Sequence, residues 1–174
     1  MAIVDGLLAE LEQEATTTRR VLERVPEGHL SWKPHPKSMS LGQLALHIAT
    51  VPGNVAELAA MDTIPELPAF VQAEAASTAE LVPALTASVA KARHHLGGLD
   101  DAAMHAPWRL MSGGRELMVM PRVALARAIM LNHWYHHRGQ LLVYLRLLDV
   151  PVPSVYGPTA DENPFAAAPV AGAR

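Results

Sequence analysis

The chain has 174 residues, of which half are hydrophobic and 18% are charged, with a net charge of -3 and no cysteine. This length and composition predict one folded domain and exclude a disordered chain. The lack of cysteine excludes disulfides, thiolate metal ligands and a cysteine nucleophile. The scattered basic residues exclude a phosphate-binding surface, so we expect no nucleic-acid partner.

Two features bear on location. No apolar run reaches the roughly 18 residues that span a bilayer. The segment from Met1 to Asp5 lacks the basic region of a signal peptide. We therefore expect a soluble, cytoplasmic protein that does not enter a membrane.

The first predicted helix covers residues 2 to about 25, where apolar side chains recur at intervals of three and four. Pro26 and Gly28 end this helix. The next segment, residues 29–39, holds prolines and Trp32 and is predicted to be a loop.

The second predicted helix starts at Ser40, whose side chain is a good N-cap, and Gln43 completes a capping box three residues later. Pro52 lacks the backbone N–H that a helix interior needs. Pro52 and Gly53 therefore predict either a kink in this helix or its end before a second piece that runs to about Met61.

A connection marked by Pro65 and Pro68 leads to the third predicted helix. Ser77 and Glu80 form a second capping box at its start. The Gly-Gly pair at 97–98 stops it.

Residues 99–120 have the weakest pattern. A single helical turn is predicted over 100–105, and the Ser-Gly-Gly sequence at 112–114 predicts a turn such as that of a small hairpin. Pro121 suits the first position of a fourth, long helix, because proline there lacks only a donor that would be unpaired in any case. This helix is predicted to continue to about Leu148.

Four long helices with little strand pattern predict an all-α fold, a four-helix bundle formed by residues 1–150. The remaining tail, residues 151–174, is rich in proline and alanine. We expect it to lie along the surface or to fray.

Three histidines are the best functional clue in the chain. His133 and His137 lie one turn apart on the fourth predicted helix, and His47 borders the apolar stripe of the second. At about 100° per residue, one sector of roughly 80° on the fourth helix holds Ala126, Met130, His133, His137, Gln140 and Tyr144. The two histidines therefore point inward, and with His47 they predict a site of three imidazoles, which are good ligands for zinc, nickel, copper and iron. Three protein ligands leave positions open for water, which is typical of a catalytic metal.

Other interpretations of these residues stay open. His47 is also explained as a core residue satisfied by a hydrogen bond, and the pair of His133 and His137 by chance and surface placement, since histidines four residues apart are common in alanine-rich helices. His136, three residues after His133, is an alternative partner that we otherwise expect at the flank of the bundle. Trp134 and Arg138 are expected at the surface or at an interface, and the glutamates, Glu14 among them, on solvated faces.

Several catalytic signatures do not match. The zinc-protease motif needs glutamate directly after the first histidine, and Trp134 stands there. The sequence has no nucleophile elbow, Walker loop or dinucleotide fingerprint. Its acids lack the spacing of a di-iron bundle.

Two separated segments of the chain stand out as motifs: residues 132–141, with the sequence NHWYHHRGQL, and residues 40–49, with the sequence SLGQLALHIA. Together they resemble motifs of the DinB/YfiT-like superfamily of metal-binding four-helix bundles. Trp32 with its flanking prolines is similar to the loop before the second helix of that family, and residues 153–158 are similar to the ending of one subgroup. The resemblance covers nearly the whole chain.

This resemblance implies an up-down-down-up bundle and a homodimer. It also implies that His47, His133 and His137 are ligands of a divalent metal, commonly zinc or nickel. The three ligand positions depart little from the family pattern, so the presence of a metal site is better supported than any particular reaction.

The resemblance further implies a function, because the better understood relatives are transferases and isomerases that use bacillithiol, mycothiol or glutathione. The leading hypothesis is a metal-dependent S-transferase or detoxifying enzyme, in which the metal activates the thiol of a cosubstrate and no side chain is assigned as catalytic. The small-molecule substrate would bind in a pocket near Trp32, Gln43, Gln140 and Tyr144.

Two alternative functions stay open. The metal could activate water, which would make the protein a hydrolase that turns over without an added thiol. The protein could also be a non-catalytic, metal-binding protein of the stress response, whose dimer is the functional object. The family name refers to DNA-damage induction, which describes regulation, and the acidic balance of the chain gives no support for DNA binding.

Overall fold

A computed structural model of the chain describes residues 1–66 and 72–166. Most of these residues are helical. The helices are α1 (Ile3–Leu22), α2 (Leu41–Ala59), α3 (Leu81–Leu96), α4 (Asp101–His105), α5 (Arg122–Leu125) and α6 (His133–Leu147), with 3-10 turns at Glu27–His29 and Thr78–Glu80. A π-helical segment, Ala126–Asn132, joins α5 to α6, and we call the continuous stretch over residues 122–147 the C-terminal helix.

A small sheet corrects the expectation of an all-α fold. Its strands are β1 (Thr63–Ile64), β2 (Pro107–Ser112) and β3 (Arg115–Pro121), in the order β1-β2-β3. Strands β2 and β3 form an antiparallel hairpin, and β1 pairs with β2 in parallel. The hairpin turn is at the predicted place, because Gly113 and Gly114 adopt positive φ values of 53° and 74° that favour glycine.

The predicted capping boxes are present. Ser40 accepts a hydrogen bond from the backbone N–H of Gln43, and the side chain of Gln43 accepts one from the backbone of Ser40. The box of Ser77 and Glu80 is also present, but it opens the short 3-10 turn that precedes α3. The connection before it is described only in part, because Pro68 lies outside the described residues.

Pro52 lies inside α2 without dividing it, so the predicted second piece does not form. A residue at this position would normally donate its N–H to the carbonyl of Ile48. Trp134 of the C-terminal helix supplies a donor instead, because its Nε1 lies 2.8 Å from that carbonyl oxygen. The next N–H, of Gly53, is bonded to Oγ of Ser88 at 2.8 Å. Neighbouring helices therefore satisfy the backbone groups that surround the proline.

Three contacts show that α2 and the C-terminal helix run antiparallel. Arg122 donates to the carbonyl of Ala59, Trp134 donates to that of Ile48, and Tyr144 donates to that of Met39, just before α2 begins. The residue numbers rise along one helix as they fall along the other. The four-helix, up-down-down-up arrangement as a whole stays a prediction.

The buried stripe of the C-terminal helix differs from the predicted one. It passes through Met130 and then through Trp134 and Arg138, which are 0% and 1% exposed, whereas the helical pattern predicted His133 in that place. The π-helical segment explains the difference, because its hydrogen bonds span five residues instead of four and fit about one more residue into the turn. The expectation that Trp134 and Arg138 lie at the surface or at an interface is therefore wrong, because both are buried within the chain itself. The histidines flank the core instead and are half-buried.

Glu14 is also buried, which corrects its prediction as a solvated side chain. Its carboxylate lies 2.6 Å from the guanidinium of Arg138, with only 8% and 1% of the two side chains exposed. Tyr156 completes the group, since its hydroxyl accepts from Arg138 at 2.5 Å and donates to Glu14 at 2.9 Å. Arg138 also donates to the hydroxyl of Thr18. This ion pair fixes the C-terminal helix to α1.

The start of the tail packs against the helices. Ser154 is buried, its carbonyl accepts a hydrogen bond from Arg20, and Arg20 also pairs with Glu162. The predicted boundary at residue 150 stays a prediction, and residues 167–174 lie outside the described part of the chain. Within the described ranges, none of the helices combines the length and the apolarity that a membrane crossing requires.

We expect Glu14→Gln to lower the free energy of unfolding by about 3–5 kcal/mol, because it leaves the buried guanidinium of Arg138 without its counter-charge. Glu12→Gln is the matched control. Glu12 pairs with Arg93 at the surface, where an ion pair contributes about 0–1 kcal/mol. Urea denaturation of both variants measures the difference. Equal stability of the two variants would show that the buried pair does not hold α1 to the C-terminal helix.

Candidate metal centre

The structure brings His47, His133 and His137 together. His47 lies on α2 directly before Ile48, and His133 and His137 lie on the first turn of α6 and one turn later. The bond between Trp134 and the Ile48 carbonyl joins the neighbours of two of these histidines. The register between the two helices therefore places the three rings opposite one another.

The three rings form a compact cluster. Their centroids are 4.4 Å apart for His133 and His137, 4.7 Å for His47 and His137, and 5.2 Å for His47 and His133. Each residue offers one nitrogen, and these nitrogens all lie within 4.8 Å of one another. Among the described residues, this is the one group of histidine, aspartate and glutamate side chains that meets this distance. The site therefore contains nitrogen ligands and no carboxylate.

Gln140 orients one of the rings. Its Oε1 lies 2.7 Å from Nδ1 of His137, and Nε2 of His137 lies 2.8 Å from Nε2 of His133. Because an amide oxygen only accepts, Nδ1 of His137 carries the hydrogen and Nε2 presents its lone pair. Nε2 of His133 is then the donor in the contact between the two rings. The bond from His137 to Gln140 is the kind of outer-shell support that metal-binding histidines typically have.

All three imidazoles are held in their neutral form. Burial and, to a smaller extent, the nearby His137 and His133 together lower the pKa of His47 to about 4. Burial is also the main cause that lowers the pKa of His133 and of His137, although a hydrogen bond to Gln140 partly offsets it for His137. Neutral imidazole is the form that binds a metal ion.

His136, the alternative partner, lies outside the cluster. Its side chain is exposed, and its ring centroid is 5.0 Å from that of His137. It belongs to the flank of the helix, as the sequence pattern favoured.

The predicted pocket residues lie on the same two helices as the cluster and on the loop before α2. Trp32 and Tyr144 contact each other edge to face, with centroids 5.5 Å apart, and the Tyr144 hydroxyl donates to the carbonyl of Met39. They fasten the loop before α2 to the C-terminal helix. The polar atoms of Gln43 are used in the capping box and in a contact with the carbonyl of Gln72. The role of all four residues in a substrate pocket stays a prediction.

Sequence reasoning missed the residues that position the cluster. Trp134 was expected at the surface, although its donor is what the carbonyl opposite Pro52 needs. A proline inside an apolar helix is the one signal that could have indicated a partner from outside the helix. The π-helical segment before His133 has no comparable sequence signature.

The fold and the cluster define a mostly helical protein with a potential three-histidine metal site on two antiparallel helices. Comparison with known proteins identifies its family. The model of the DinB family matches residues 2–164, and the chain belongs to that family.

Individual relatives are more distant. The chain is 25% identical over 166 residues to the uncharacterized protein YrdA of Bacillus subtilis strain 168, and the match covers 91% of each chain. A crystal structure of a DinB-like protein from Bacillus cereus ATCC 10987 has a TM-score of 0.67 at 23% identity and covers 87% of this chain and 97% of its own. The DinB-like protein YjoA from Bacillus subtilis has a TM-score of 0.64 at 20% identity, with coverages of 86% and 97%. At these identities the two structures support the fold alone.

The histidine cluster predicts how stability depends on pH in the metal-free protein. The folded state holds the pKa of His47 at about 4, below the 6.5 of an exposed histidine, so the unfolded chain binds this proton more tightly. The resulting stability is fully present above pH 6.5 and is lost as pH falls toward 4. We expect the free energy of unfolding in EDTA to fall over this interval, and His47→Gln to reduce the fall. His94→Gln, at an exposed histidine, should not change it. An identical pH dependence in wild type and His47→Gln would count against neutral, buried rings.

Proposed function

We propose that the chain is a metal-dependent enzyme, in which His47, His133 and His137 hold a divalent ion, zinc or nickel. The single observation that carries this proposal is the convergence of three neutral imidazoles from two helices. The donor set fits the group, because zinc and nickel accept imidazole nitrogen. The 2.8 Å separation of two of the nitrogens lets both reach one ion with bonds of about 2.0–2.1 Å.

The reaction that we propose is transfer of a low-molecular-weight thiol to an electrophilic small molecule. A divalent ion with neutral ligands keeps its full charge and, when bound, would lower the pKa of a thiol or of water beside it. The chain has no cysteine, so the sulfur must come from a cosubstrate. The thiol proton would pass to solvent, because no carboxylate among the described residues belongs to the cluster and could accept it.

This lack of a carboxylate in the described cluster favours a thiol over water as the nucleophile. Zinc hydrolases of the helical type place a glutamate beside the metal as general base. A thiol needs less assistance, because its ordinary pKa of about 8.5 lies far below the 15.7 of water. Hydrolysis is therefore the second candidate, and turnover without an added thiol would identify it.

The protein's own residues have distinct roles in this proposal. Gln140 holds the ring of His137 with its Nε2 lone pair directed at the cluster. Trp32, Tyr144, Gln43 and Gln140 would line the substrate pocket. A cytoplasmic location, a homodimer, a role in stress response and the lack of nucleic-acid or membrane partners are further parts of the proposal.

The direct test is His133→Ala in protein purified without a histidine tag. We expect elemental analysis to find about one ion per chain in the wild type and almost none in the variant. Conjugation of an electrophile to glutathione should fall by about 100-fold or more, since loss of an outer-shell group alone costs metal sites about 10–100-fold.

The matched control for this test is His136→Ala, which removes an exposed histidine from the same helix. It should retain both the metal and the activity. Full conjugation activity in His133→Ala would refute the metal-dependent reaction. Loss of metal in His136→Ala but not in His133→Ala would show that His136, and not His133, is the ligand.

A second variant tests the outer shell. We expect Gln140→Leu to lower metal affinity by about 10–100-fold, because His137 loses the acceptor that fixes its tautomer. Gln140→Glu keeps an acceptor at this place and should retain affinity. Competition with a chromogenic chelator measures both. Unchanged affinity in Gln140→Leu would show that Gln140 only lines the pocket.

A further inference from the structure

An apolar cavity lies between α2, the β2–β3 hairpin and the start of the C-terminal helix. Its volume is about 180 Å³. The described residues that line it are all apolar and include Val55 and Leu58, Trp108 and Met118, and Leu125 and Ile129.

The cavity has a buried floor and an open rim. Trp108 and Leu125 are only 4% and 3% exposed, whereas Met118 and Ile129 at the rim are 38% and 37% exposed. The one polar atom of the Trp108 ring is already used, because its Nε1 donates to the carbonyl of Leu58 at 2.9 Å. A ligand in this cavity would therefore meet hydrocarbon and the face of an indole ring, without any polar group that needs a partner.

Size and chemistry together restrict the ligand. An apolar cavity of about 150 Å³ stays dry and binds benzene, so 180 Å³ holds one aromatic ring or a branched alkyl group of similar size. Drug-sized ligands require roughly 300–1,000 Å³. A water molecule would find no hydrogen-bond partner on the walls of this cavity.

The position of the cavity connects it to the histidines. Ile129 precedes His133 by four residues on the C-terminal helix, and Val55 follows His47 by eight residues on α2. At about 1.5 Å per residue, the cavity lies on the order of 10 Å from the cluster along the same two antiparallel helices. The π-helical segment, which contains Ile129, forms one of its walls.

We propose that this cavity binds a compact apolar group, and that it holds the apolar end of the electrophile whose reactive carbon meets the thiol at the metal centre. The second half of this proposal rests on the proposed function. For an alkyl bromide, the thiol proton passes to solvent, the sulfur–carbon bond forms, and the carbon–bromine bond breaks with its electron pair leaving on bromide.

Binding is tested first, with toluene as the probe and without any need for metal. We expect toluene to bind the wild type saturably and to shift the methyl NMR signals of Val55 and Ile129. Val55→Trp fills the cavity and should weaken binding at least tenfold. Val143→Trp is the matched control, because it makes the same change at a valine that is 57% exposed and outside the cavity. His133→Ala should bind toluene as the wild type does.

Ile129→Phe provides a second route if Val55→Trp does not fold, because it narrows the cavity from its exposed rim. Wild type that does not bind toluene, or Val55→Trp and Ile129→Phe that bind it unchanged, would overturn the proposal. If the wild type does not bind toluene and the variants sediment as a different oligomer, the surface is a contact with a second copy of the chain. That result would also overturn the proposal.

Catalysis is tested second, with glutathione and either 4-phenylbutyl bromide or butyl bromide. Val55→Trp should raise KM for the phenyl compound at least tenfold and leave KM for butyl bromide unchanged. An equal change in KM for both bromides would show that the cavity does not bind the apolar end of the substrate. If neither bromide reacts while toluene binds as expected, the proposed function fails and the apolar binding site remains.

Discussion

The hydrogen bond from Trp134 to the carbonyl of Ile48 is the interaction on which the candidate metal centre depends. Pro52 removes the normal partner of that carbonyl, and an unsatisfied buried carbonyl would cost about 1–3 kcal/mol. The indole donor provides the replacement from the opposite helix. Because the two residues are direct neighbours of His133 and His47, the bond that satisfies the backbone also sets the register of the ligands. The backbone carbonyl that Pro52 leaves without its normal donor and the position of the histidines therefore depend on the same hydrogen bond.

The electrostatics of the centre follow from the same packing. The apolar surroundings lower the pKa of each ring, so the cluster carries no charge of its own that would repel a cation. His133 and His137 share a hydrogen-bonded proton between their Nε2 atoms, and Gln140 determines which ring donates it. A cation bound to Nε2 of His133 would require the hydrogen to move to Nδ1 of the same neutral ring. In acid, protonation of the rings would exclude the cation, which is why acid and metal compete at this site. The lack of a carboxylate in the described cluster distinguishes it from a hydrolytic centre that carries its own base.

Sequence periodicity predicted the four long helices well because their signals are local: capping boxes at Ser40 and Ser77, prolines at 26 and 121, and glycines at 97 and 98. It predicted that the three histidines come together because His133 and His137 lie one turn apart and His47 borders the apolar stripe of its helix. The small sheet was missed as a sheet, since β1 contributes two residues and pairs with β2 more than 40 positions later. The placement of Trp134 and Arg138 was missed because a π-helical segment shifts the stripe by one position. Glu14 was missed because its partner lies 124 residues away.

The group formed by Glu14, Arg138 and Tyr156 has a consequence for how this chain can vary over evolutionary time. The Arg138 guanidinium lies about equally far from the rings of Tyr135 and Tyr156, at 5.2 Å and 5.1 Å, and it directly follows a candidate ligand. Loss of the tyrosine alone would open a buried charge pair to solvent, and loss of either ion alone would strand the other. Changes at these three positions should therefore occur together, and the tail segment that carries Tyr156 should change in step with the C-terminal helix.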